Sequence, residues 1–169
     1  YVAPFAFFPR NKTIKTAAMN FLCTINLVVG YMSLYLSSAM MSYYSVFSFN
    51  GLHTLLYHTL ITLVPMVMLI TGYYKPKWKD IWKGFTLFLI IAAVVFTIDN
   101  IFKIDYMYLY DQKSLGIFNF IADLLPHRLV WTVVALAGYF GMAAISLGII
   151  LLFRKISDKH KLKKEITRP

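Results

Sequence analysis

The sequence is poor in charge and very poor in acid. Of 169 residues only 14% are charged, and seven Asp and Glu face seventeen Lys and Arg, for a formal net charge of +10. A soluble domain carries about 25% charged residues, so an ordinary water-exposed surface is excluded. A single cysteine, Cys23, excludes an intramolecular disulfide framework and a Cys-rich metal site. No internal repeat, low-complexity stretch, dinucleotide fingerprint or phosphate-binding loop is present, so no cofactor is expected. What the chain has in excess is apolar: 59% of its residues are hydrophobic and 17% aromatic. That composition is of a membrane protein. Its length suits four spans of about 20 residues with short connections and little else.

Four apolar stretches, at about residues 16–37, 52–74, 84–102 and 129–153, are long enough to cross the hydrocarbon as helices. The expected fold is therefore all-α, a polytopic bundle of four transmembrane helices forming one domain. Residues 1–9 read as the end of a truncated preceding span, as for a C-terminal fragment, and residues 154–169 as a basic tail that continues the last helix. Basic residues cluster on alternate connections: Arg10, Lys12 and Lys15; then Lys75, Lys77, Lys79 and Lys83; then Arg154 onward. These hold fourteen of the seventeen, whereas residues 38–51 carry no charge and 103–128 balance three bases against three acids. By the positive-inside rule both termini are expected in the cytoplasm of a multi-pass cell-membrane protein. Aromatics at the span ends, Trp78 and Trp82 among them, read as anchors at the headgroup level. Segregated in this way, the positive charge argues against nucleic acid. The partners expected are membrane lipids, with anionic phospholipid at the basic tail and homo-oligomerisation left open.

Polar side chains inside spans are costly, which singles out His53, His58, Asp99 and Asn100. With this topology they gather in the outer leaflet, beside Tyr57 and beneath Asp105, Tyr106 and Tyr108 of the external connection. Headgroup-level residues such as His53, Asp105, His127 and Arg128 also suit plain anchoring, and a buried His or Asn also suits helix cross-linking. Two histidines five apart point about 140° away from each other, so they do not form a chelating pair. Pro65 should free the carbonyl of Ile61 and kink the second span, while Lys75-Pro76-Lys77 should end it. Cys23 lies in the other half of the membrane, on the order of 10 Å from His58 along the normal, and reads as a packing residue.

The chain carries, in order, Phe47-Ser-Phe-Asn-Gly-Leu-His53-Thr-Leu-Leu-Tyr-His58, then Pro65, Gly72-Tyr-Tyr-Lys-Pro76, Asn100 and Asp105-Tyr106-Met107-Tyr108-Leu109. This order of motifs resembles the bacterial YwaF-like family of integral membrane proteins. It covers roughly residues 47–153. The family is mostly of unknown function and looks distantly similar to eukaryotic transmembrane enzymes that move or hydrolyse fatty acyl groups. It implies His53 and His58 as paired histidines, Asn100 as an intramembrane amide and Tyr106 as the aromatic of the external motif. It also implies that the nucleophile belongs to an earlier span, before Tyr1. Three functions follow as expectations: an acyl-transfer or lipid-hydrolysing enzyme with His58 as base and Asn100 or Asp99 orienting it or holding the oxyanion; a small-solute or proton-coupled carrier; and a non-enzymatic assembly or lipid-binding subunit.

Overall fold

The computed structural model describes residues 6–7, 10–40, 47–103, 124 and 128–166. Among these, the long elements are α1 (Lys12–Phe21), a π-helical turn (Leu22–Asn26), α2 (Leu27–Met40), α3 (Phe49–Ile70), a 3-10 turn (Trp78–Asp80), α4 (Ile81–Phe102) and α5 (Arg128–Ile166). Four helical stretches are long and apolar enough to cross a membrane: Lys12–Leu34, Phe49–Ile70, Trp78–Phe102 and Val130–Lys159. The described chain is thus all-helical with four candidate spans, as its hydropathy indicates.

The helix ends follow local chemistry that hydropathy does not see. Asn11 begins the first span four residues earlier than expected, its side chain accepting from the Thr13 and Ile14 amides. Ser48 does the same for α3 through the Gly51 amide. The expectation that Lys75-Pro76-Lys77 ends the second span is corrected. The stop is Gly72, whose φ of 72° suits a residue without Cβ, and the Tyr74 amide closes the end on the Met68 carbonyl. The last helix runs unbroken from Arg128 to Ile166, carrying the span on into the basic tail.

The first span is the hub. Ala18 to Ile25 are buried at eight successive positions, so this helix is enclosed on all sides. Half of its most apolar window is buried within the protein, against 17% for each other span. Its halves serve different neighbours: α1 packs along α4, α2 along α3, and the π-helical turn between them meets both α3 and α5. Two glycines permit the approach. A Cβ at Gly84 of α4 would collide with the Asn20 side chain and lie 2.9 Å from the Phe21 amide nitrogen, and one at Gly30 would collide with Thr62 and Ile61 of α3. Aromatic rings fill the junction with α5, where Trp82 and Phe85 lie against Phe140 and Phe88 against Tyr139. Trp82, expected as an interfacial anchor, is therefore also a packing residue.

Candidate functional site

Two groups of polar residues lie at opposite ends of the bundle. The first lies on α3. His58 is half-buried, and its Nδ1 is 2.9 Å from the Thr54 carbonyl one turn earlier. A carbonyl can only accept, so Nδ1 carries the proton and Nε2 of the neutral ring is left as the acceptor. His53 is exposed and stacks between Phe49 and Tyr57 in a ladder of rings four residues apart. Tyr57 also meets the His58 ring edge-on at 5.3 Å. The structure therefore brings His53, Tyr57 and His58 together.

Asp99 and Asn100 sit at the end of α4. Asp99 is fully buried, and Asn100 donates to the Phe96 carbonyl in its own helix at 2.6 Å. At 1.5 Å per residue, Asn100 lies about 3 Å from the end of α4 and His58 about 13 Å from the start of α3. Both belong to the end away from the lysine-rich turn, but α3 and α4 share no extended packing because the first span lies between them. Asp105, Tyr106 and His127 lie outside the described residues.

Asn26 and Pro65 explain each other. Proline has no amide hydrogen, so the Ile61 carbonyl one turn earlier has no helical donor. The helix nevertheless continues through Pro65, and that carbonyl accepts from Asn26 Nδ2 of the first span at 3.3 Å. This contact also fixes relative depth. With Asn26 level with Ile61, Cys23 lies three residues toward one end and His58 three toward the other, about 9 Å apart along the axis. That exceeds the roughly 3 Å of proton transfer, so Cys23 does not serve His58 as nucleophile.

The second group, at the lysine-rich end, comprises Asn20, Cys23, Thr24, Tyr74 and Asp80. Asn20 and Cys23 are fully buried, and Thr24 nearly so, with its hydroxyl returned to the Asn20 carbonyl at 2.7 Å. Neither amide atom of Asn20 nor the Tyr74 hydroxyl makes a hydrogen bond of good geometry, although the two side chains lie beside one another. Burial pushes the Tyr74 phenol up to about 12; Asn20 opposes the shift, and Asp80 and Cys23 add to it. Asp80 accepts from Lys83 at 2.8 Å. Reasoning from sequence singles out His53, His58, Asp99 and Asn100 at membrane depth and passes over Asn20 and Asn26. The same cost argument, applied to Asn20 and Asn26, finds both. Tyr74 and Asp80 give no such signal, since they flank a turn. Among the described residues, no three His, Cys, Asp or Glu side chains group as metal ligands.

A family model for the TMEM164 family matches residues 1–153. The chain belongs to the TMEM164 family. This is a family of membrane proteins, in agreement with the four apolar helices and with the membrane-family part of the resemblance described above. The match covers the first three candidate spans whole and the fourth as far as residue 153, where the basic tail begins. No curated protein and no solved structure matches the chain.

Proposed function

We propose that this TMEM164-family chain carries the histidine base of a multi-pass cell-membrane enzyme that transfers or hydrolyses lipid acyl groups, with His58 as that base. The observation behind this reading is the Nδ1 contact of His58 with the Thr54 carbonyl, which holds the ring in the tautomer whose Nε2 can take a proton. In the proposed step Nε2 accepts the proton of an attacking hydroxyl or thiol as its oxygen or sulfur bonds to the ester carbonyl carbon. The proton is then returned to the departing glycerol oxygen as the carbon–oxygen bond breaks. The Thr54 carbonyl takes the orienting role for which Asn100 or Asp99 was a candidate. These two lie within about one turn of the end of α4, away from the lysine-rich turn, and, with His53, Tyr57, Asp105 and Tyr106, are assigned here to the polar part of the lipid. The YwaF-like order of motifs supports the same reading through that family's distant likeness to enzymes acting on fatty acyl groups.

The test is turnover of an acyl-labelled phospholipid, with lysophospholipid as acceptor, by the full-length protein in liposomes. His58→Ala and His58→Gln should each lower turnover by at least about 100-fold with melting unchanged. Full turnover in both variants overturns the assignment. A proton-coupled solute flux lost in Asp99→Asn, without lipid chemistry, would establish a carrier instead.

A further inference from the structure

Between α1 and α4, on the outer surface of the bundle, runs a groove of about 420 Å³. Its walls are Thr13, Ile14 and Ala17 on one side and Lys83, Thr86, Leu87 and Ile90 on the other. The volume falls within the roughly 300–1,000 Å³ of small-ligand sites. The groove is not uniform along its length. Thr13 and Lys83 mark the end where both helices begin; Ala17 and Ile90 lie about 6 and 10 Å further along their axes. One end is therefore polar and cationic; beyond it the lining is apolar except for Thr86, whose hydroxyl donates to the Trp82 carbonyl of its own helix at 2.8 Å.

The charge at the polar end is held in place and net positive. Lys83 is 44% exposed, and its ammonium is held at 2.8 Å by Asp80, whose side chain is only 11% exposed. An ammonium has three donors, so this contact leaves two to face outward while preventing the long side chain from wandering. Lys12 adjoins Thr13 in the first turn of α1, and Lys79 belongs to the 3-10 turn that packs against α1. Asp80 is the single acid among these bases. A ligand that suits such a groove has one apolar tail and one anionic head, held about where hydrocarbon meets headgroup.

We infer that this groove holds one acyl chain of an anionic phospholipid, with its phosphate against Lys83. The site is separate from His58, which lies in the other half of the bundle, and does not depend on the proposed enzymatic role. It differs also from general attraction of anionic lipid to the basic tail, because it requires a shaped apolar wall as well as charge.

Photo-crosslinking of the full chain in phosphatidylcholine liposomes, with phosphatidylglycerol bearing a diazirine in its acyl chain, tests this directly. Adducts mapped by peptide mass spectrometry should fall on segments 13–17 and 83–90. Lys83→Gln should lower their yield by about fivefold, the effect of one lysine near a charged surface. Ala17→Trp, which fills the groove, should abolish them. Lys155→Gln with Lys159→Gln in the tail should leave them unchanged. A phosphatidylcholine probe labelling the same segments equally well, or yields unaltered in Lys83→Gln, would overturn the assignment. If Ala17→Trp does not fold, Lys83→Gln decides.

Discussion

At the scale of single residues, the Tyr74 hydroxyl is the group most displaced from its solution chemistry outside the spans. Its pKa rises from 10.0 to about 12 chiefly because burial disfavours the phenolate. Between these values the folded chain keeps a proton that the unfolded chain has lost, so stability is intact below pH 10 and declines as pH rises toward 12. Melting of the protein in nanodiscs should show that decline, and Tyr74→Phe should flatten it. A wild-type melting temperature constant from pH 9 to 11.5 would contradict this account. His58 divides what is legible in a sequence from what is not. Its position in a span marks it as unusual, but its tautomer depends on the Thr54 carbonyl, which only the folded helix brings within reach. Asn20 is equally visible in the sequence. Unlike Asn100 it has no ionisable neighbour in sequence to draw attention to it, and its full burial at the crossing with Gly84 appears only in the folded bundle.

At the scale of elements, Asn26 and Pro65 form a lock between the first span and α3. The interaction is specific to the missing amide: once residue 65 can donate, the Ile61 carbonyl no longer needs Asn26. A double-mutant cycle should therefore show Asn26→Leu costing about 1 kcal/mol in the wild-type background and close to nothing beside Pro65→Ala. Equal costs in the two backgrounds would mean that Asn26 acts through packing alone. Pro65 and its freed carbonyl are legible in the sequence; the residue answering it is not, since nothing in residues 12–40 states which face meets α3. Helix ends differ from their expected places for a related reason. Hydropathy measures where a helix favours lipid, whereas Asn11, Ser48 and Gly72 determine where the backbone starts and stops.

At the scale of the whole molecule, number of spans and charge asymmetry are readable because both are sums over many residues. Their arrangement is not, because four apolar helices with short connections can be ordered around one another in several ways. The charge pattern does make a prediction of its own. Cysteines introduced one at a time at Lys77 and Lys155 in a Cys23→Ala background should react with an impermeant maleimide from the cytoplasmic side, and one at Ser48 from the opposite side. Labelling of Lys77 and Ser48 positions from the same side would break the assigned orientation. The central place of the first span bears on how the protein is made. Of the four spans it has the lowest mean hydropathy, and it carries Asn20, Thr24 and Asn26 along its length. Met alone by the insertion machinery, it is the segment with the weakest tendency to partition into lipid. Its settlement in the bilayer is completed only when the later-synthesised α3 and α4 arrive with the Ile61 carbonyl and the Gly84 notch that accept it.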